Sequence, residues 1–362
     1  MLTSLLKNPF AIRLCLLSAL AYPPVAFAAP SVGGEAVFEF QLESGQRSDN
    51  PGDERTNIFG RTEVAPTVTI NDHFYVDGVG VLEPILAPPP GEDAFMESEG
   101  AFIEELKLNY VNGPYHIFVG KFNPGFGIAW DYGRGVWGED FAQDYEMTEK
   151  LGAGASATFG SDDVGQHTVT GTSFVADTSF LSESAITSRG RTRRADGGAS
   201  NSDDFSSFTL SLDGDQAAGV ENFSYHLGYR HVAAGDVNVG ASDENGVAVN
   251  VNYTVPLTKR IQSDILLEFA GIDSVDGSPD DARYYTASVI NKIDERWNVT
   301  LAYTKRDVRV RGAQDSRDHL FQATGGYDFG NGLTVEGGWK QTEEAGVDNN
   351  VVGGLARYTK SF

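Results

Sequence analysis

Carboxylates gathered in one stretch are the residues of this chain best suited to do something chemical. Between residues 123 and 150 stand Asp131, Glu139, Asp140, Asp144, Glu146 and Glu149, against only Arg134 and Lys150. Acids clustered in this way set up a negative potential that concentrates cations nearby; the plainer reading is that they solvate an exposed loop. A basic counterpart, Arg189, Arg191, Arg193 and Arg194, lies within residues 177–206 and is suited to a small anion, to lipid phosphates or to an acidic neighbouring loop. Catalytic signatures are missing. The sequence has no G-x-S-x-G elbow and no H-E-x-x-H pair, and the six histidines are scattered. The two nearest, His226 and His231, are an odd number of residues apart and would face opposite sides of a strand. Asp273, Asp276, Asp280 and Asp281 do not follow the EF-hand spacing and read as a solvated turn. No catalytic residue, metal ligand or cofactor is therefore expected, and the chain does not read as an enzyme; a Ser-His-Asp set assembled across strands is the alternative.

The ends and the composition limit where such residues could work. Residues 1–13 carry Lys7 and Arg13 and no acid, residues 14–25 are mostly apolar, and Ala26-Phe27-Ala28 is a small-x-small cleavage site, so residues 1–28 read as a secretory signal peptide. The apolar run is broken by Pro23-Pro24 and is too short to span a bilayer. Cys15, the only cysteine, falls inside this segment and leaves an exported chain without disulfides. Removing Lys7 and Arg13 takes the net charge from −24 to −26, which argues against nucleic acid as a partner. No linker divides residues 29–362, which are expected to form one domain.

The elements that must position the charges are strands. In residues 247–255 every odd position is apolar or aromatic and most even ones are polar, and the pattern recurs at 223–230, 297–304 and 333–340 and at six segments earlier in the chain. Short turn-like links at 71–72, 112–114, 161–165, 213–220, 256–260, 291–296 and 330–332 alternate with longer polar stretches. Those are 44–57, 84–100, 123–150, 177–206, 231–245, 272–282, 307–317 and 342–349. Seven short and eight long connections imply sixteen strands with both ends on the short-turn side. The fold expected is all-β: a transmembrane antiparallel β-barrel with short periplasmic turns and long extracellular loops. A soluble β-sandwich or propeller is the competing architecture, disfavoured by the regular alternation of loop lengths and by Tyr and Trp near strand ends.

Two local motifs sharpen this expectation. Phe362, with Tyr358 four positions earlier on the same strand face, resembles the C-terminal assembly signal of outer-membrane barrels, although Lys360 stands where that signal is usually apolar. Gly120-Lys121-Phe122-Asn123-Pro124-Gly125-Phe126-Gly127 resembles the strand end and following loop of sixteen-strand porins, including the phosphate-selective family. The resemblance implies that residues 123–150 form the third outer loop and fold into the channel as its constriction. It implies a Gram-negative outer-membrane protein in contact with lipid, lipopolysaccharide and the barrel assembly machinery, and a homotrimer, for which the outward Ala153, Ala155 and Ala157 offer a shallow surface.

With the polar face turned inward, mixed acids and bases line a wide lumen, and a barrel of this strand number leaves an aqueous channel. The expected activity is passive diffusion of small hydrophilic solutes or ions. The pore is assigned to Lys107, Lys121, Asp131, Arg134, Glu139, Asp140, Asp144 and Glu146, with a weak preference for cations. Uptake of a siderophore or sugar, a barrel hydrolase, and a structural or adhesive barrel are the alternatives. A phosphate path would need a ladder of Arg and Lys that this wall does not show.

Overall fold

The computed structural model describes residues 30–133, 135–161, 163–193, 199, 204–235 and 240–362. The expected signal peptide, Arg134 and Arg194 lie outside these residues. Sixteen long strands form the wall. They are β1 (Ser31–Ser48), β2 (Thr56–Thr69), β3 (Phe74–Pro84), β4 (Glu99–Asn112), β5 (Tyr115–Phe122), β6 (Lys150–Ser161), β7 (Gly165–Ala176) and β8 (Ser207–Asp215). The second half comprises β9 (Phe223–Val232), β10 (Glu244–Pro256), β11 (Ile261–Asp273), β12 (Asp281–Ile293), β13 (Trp297–Arg309), β14 (Ser316–Asp328), β15 (Leu333–Glu344) and β16 (Val347–Ser361). Each pairs antiparallel with its neighbours in sequence, and β1 pairs with both β2 and β16, so the sheet closes on itself and no wall strand keeps a free edge.

Period-two alternation drives this closure. On β1, Phe38, Phe40 and Leu42 point outward and stay exposed, whereas Glu39 and Glu43 point inward. Directly opposed residues share a face, and Glu39 accordingly meets Arg357 of β16, Nε to Oε1 2.5 Å. Leu227, Val249, Leu267, Leu301 and Val335 continue the outer apolar band around the far wall. Aromatic pairs lie near both of its margins: Phe74–Tyr110, Phe223–Tyr253 and Trp297–Tyr327 on the side of the chain ends, Phe269–Tyr285 and Phe321–Trp339 on the other. The inner face is polar, with cross-strand threonine pairs such as Thr172–Thr209 at 2.6 Å.

The seam lies at the C-terminus. Phe362 exchanges backbone hydrogen bonds with Gly34, 3.1 Å each way, and its ring rests where a Cβ on Gly34 would be. Tyr358 stacks on Phe38 across the β1–β16 ladder, with centroids 6.4 Å apart. The two aromatics of the terminal motif thus sit on the outer surface at the last ladder to close.

Two expectations are corrected. Residues 342–349, expected as a long polar loop, are strand apart from Ala345-Gly346. Both of these residues have positive φ (50° and 80°), the two-residue hairpin geometry that matches strand twist. Residues 44–57 are half strand, with Asp49 to Arg55 left as the connection. Polar residues fooled the reading in both places, because strands that rise above a lipid band have two wet faces and no alternation. The remaining long connections fall where expected, and two short pairings, Ala94–Phe95 and Ala185–Ile186, lay loop segments onto β2 and β4.

Candidate functional site: the inserted loop and the cavity beside it

Near the end of β5, just before the connection to β6, stands a glycine that has to be one. Gly120 has φ 147°, and a Cβ there would lie 2.1 Å from the Leu106 carbonyl oxygen. After Phe122 the chain turns into the barrel rather than away from it. Phe126, Ile128, Ala129, Val136, Trp137, Phe141, Ala142, Tyr145 and Met147 are all buried, most of them against inward-facing residues of the far wall.

Several anchors hold the loop there. Glu268 of β11 accepts from the backbone amides of Ile128 (2.8 Å) and Ala129 (3.0 Å) and from the Tyr145 hydroxyl (2.6 Å). Arg230 of β9 donates to the Tyr145 carbonyl at 2.7 Å, pairs with Glu244 at 2.7 Å and lies 4.5 Å above the Phe126 ring. At the far end of the loop Trp137 sits on Val351 and Leu355, donates from Nε1 to Glu43 at 2.5 Å, and takes its backbone amide to Gln322 at 3.2 Å. Glycines of the wall give the loop room. A Cβ on Gly228 would lie 2.0 Å from the Phe126 carbonyl oxygen, and one on Gly246 would lie 2.8 Å from its ring. Phe141 and Glu149 adopt positive φ (56° and 57°), at a cost of roughly 1–2 kcal/mol each that the surrounding contacts offset.

The loop does not fill the barrel. Between it and the wall formed by β1 to β4, β15 and β16 lies a cavity of about 800 Å³. Its lining includes eight carboxylates, Glu39, Glu43, Glu83, Glu104, Glu139, Asp140, Glu146 and Glu149, and four cations, Arg61, Arg189, Lys340 and Arg357. Glu104 and Glu105 both point inward because β4 carries a bulge against Val79 and Gly80: Glu104 reaches Asn123 at 2.6 Å and Glu105 reaches Lys107 at 2.7 Å. Arg189 comes from the β7–β8 loop, lying 4.0 Å over the Phe102 ring and pairing with Glu149 at 2.5 Å.

The residues assigned to the pore from sequence separate into groups. Glu139 and Glu146 line the cavity. Asp140 lines it too, but pairs with Lys340 at 2.7 Å; burial pushes its carboxyl up, and the ammonium opposes that push. Asp144 pairs with Arg306 at 2.7 Å, in a cluster where the same guanidinium also reaches Asp318 and Glu344. Asp131 is half-buried in the loop. Lys107 pairs with Glu105 and Asp77, and Lys121 is buried between Glu149 (2.7 Å) and Asp177 (2.9 Å); neither is among the residues lining the cavity. Burial alone would raise the Asp177 carboxyl, but hydrogen bonds from Ser179 and Lys121 outweigh it and hold it below the usual range. The expected basic cluster is dispersed into contacts: Arg191 donates to the Thr178 carbonyl while Arg189 faces the cavity.

Sequence reasoning missed Arg230, His226 and Glu268 as holders of the loop, and missed Trp137 and Phe126 as its plugs. A usable signal was present. Seven large apolar or aromatic residues (Phe126, Ile128, Trp130, Trp137, Phe141, Tyr145, Met147) in a loop that is otherwise acidic point to burial.

This architecture is that of the sixteen-strand barrels of the outer membrane. Solved structures that share it include OmpT of Vibrio cholerae in a trimer form, with a TM-score of 0.55 at 14% identity over 92% of this chain and 100% of that one. OccK5 (OpdH) of Pseudomonas aeruginosa aligns with a TM-score of 0.51 at 11% identity over 92% and 98%. The outer membrane channel DcaP of Acinetobacter baumannii aligns at 0.53 and 11% over 93% and 99%. No family model matches the sequence, and a search of curated proteins finds no match either.

Proposed function

We propose that this protein is an outer-membrane channel through which small hydrophilic solutes and ions diffuse, narrowed by the loop at residues 123–149 and weakly selective for cations. The observation that carries this reading is the polar cavity of about 800 Å³ left between the inserted loop and one side of the wall, with eight carboxylates and four cations along it. Carboxylates in a low-dielectric constriction attract cations from both mouths. Asp140 and Asp144 contribute less than their charge suggests, since Lys340 and Arg306 neutralise them. Glu139 and Glu146 add the loop's charge to a lining in which eight carboxylates outnumber four cations, and that excess sets the preference. The outer apolar band with its aromatic margins supports a membrane location, and the likeness in fold to a protein described as an outer membrane channel agrees with it.

In a low-salt gradient across a planar bilayer, the refolded mature chain should give a cation-directed reversal potential that fades near 1 M salt, where the screening length falls to about 3 Å. Replacing Glu139→Gln and Glu146→Gln together should move it toward zero, and adding Asp140→Asn, which takes from Lys340 the nearer of its two carboxylates and leaves it Glu43 at 3.7 Å, should carry it toward anions. An anion-directed potential in the unmodified protein would contradict the charge assignment. A protein that never conducts would leave the structural or enzymatic alternatives.

The assembled form proposed is a homotrimer. Ala153 and Ala155 of β6 are exposed on the outer face, with Gly171 and Ser173 of β7 opposite them, so a neighbouring barrel could approach the wall closely there. The mass of the protein in mild detergent checks this: a trimer is expected, and a monomer at every detergent concentration would overturn it.

A further inference from the structure

We propose that His226 positions the inserted loop only as the imidazolium ion, so that the loop base is clamped when this side chain is protonated and loosened when it is neutral. His226 lies on β9 and is 3% exposed. Its Nδ1 is 2.7 Å from Asp213 Oδ1 on β8, and its Nε2 is 2.6 Å from the Phe126 carbonyl oxygen at the root of the loop. A carbonyl oxygen and a carboxylate are both acceptors, and a neutral imidazole has a single N–H to donate. Only the imidazolium satisfies the two contacts at once.

When the proton leaves, the remaining N–H stays with the stronger acceptor, the Asp213 carboxylate. A nitrogen lone pair then faces the Phe126 carbonyl across 2.6 Å. The carbonyl cannot settle closer to the wall, because it already lies over the bare backbone of Gly228. It has to move away, taking Phe126 out from beneath Arg230. The charged and titratable groups around His226 are Asp213 from β8, Glu268 from β11, Tyr145 from the loop through its bond to Glu268, and Arg230 further along β9. The bonds from the Ile128 and Ala129 amides to Glu268 and from Arg230 to the Tyr145 carbonyl still form but open more often without the support of the loop root, so the change is a loosening of the loop base and not its expulsion.

The proposal concerns the same loop that the channel reading takes as the constriction, and its test needs no conduction. Hydrogen exchange of the folded full chain in detergent is measured at several values between about pH 5 and pH 8, as protection factors for the amides of residues 125–130. In the unmodified protein protection should fall about tenfold as pH rises, the loss of one charge-assisted hydrogen bond. Asp213→Asn places an amide N–H opposite Nδ1, which lets a neutral ring accept there and donate to Phe126; protection should then stay high throughout. His226→Leu has no N–H to offer the Phe126 carbonyl and should be poorly protected at every pH. Protection that is flat with pH in the unmodified protein, or that falls equally in Asp213→Asn, would overturn the proposal. Bilayer recordings of the same proteins report separately on the channel reading, through whether any of them conducts and whether current noise grows with pH.

Discussion

Glu268→Ala should release the loop from the far wall and raise single-channel conductance, with frequent current fluctuations in place of a steady open level. One carboxylate carries three hydrogen bonds, from the Ile128 and Ala129 amides and the Tyr145 hydroxyl, and all three donors are buried. Removing the acceptor leaves the two amides without a partner, at about 1–3 kcal/mol apiece, and leaves the Tyr145 hydroxyl only Thr286, so even with water entering the gap the loop attachment weakens by about 3 kcal/mol. The barrel itself should still form, because its ladders run through backbone groups that the substitution does not touch. Glu268→Gln retains one acceptor oxygen and should give an intermediate conductance. Conductance of both variants equal to that of the unmodified channel, with normal heat-modifiability on gels, would mean that the loop does not restrict the current.

How much of this was visible in the residues differs between wall and loop. The wall was legible because the outer face meets an apolar medium along its whole length, which forces alternation: Val247 to Val255 shows it, and its outward Val249 faces Leu227 and Phe269. The pattern fails where that constraint ends. Above the outer aromatic margin, residues 342–349 are polar on both faces, and a strand there looks like a loop. It fails again at Ile103-Glu104-Glu105-Leu106, where two adjacent acids both turn inward. Strict alternation would have sent Glu104 outward, and the β4 bulge is what reverses it.

The loop was legible only in part. The Gly120-Lys121-Phe122 resemblance located it, and its acids suggested a field, but charge alone does not reveal partners. Lys340 and Arg306 lie about 200 and 160 residues away in sequence from Asp140 and Asp144, and nothing local indicates that these pairs form. For His226 the same holds more strongly. A histidine in a strand facing the lumen is unremarkable until the Phe126 carbonyl, a hundred residues distant, is seen against it. Gly228 and Gly246 read as weak strand positions, whereas in the folded chain they form the socket for Phe126.

The central claim is that ions pass between the loop and the wall of β1 to β4, and the chain's cysteine content makes a direct test available. Cys15 is the only cysteine and lies within the expected signal peptide, so a single cysteine can be introduced into the mature protein without background. Gln41 lines the cavity, while its neighbour Phe40 is 45% exposed on the outer face of the same strand. During single-channel recording, a bulky water-soluble thiol reagent should reduce the current through Gln41→Cys in one irreversible step. The same reagent should leave Phe40→Cys unchanged. Current through Gln41→Cys that is indifferent to the reagent, once labelling has been verified by mass, would contradict the account.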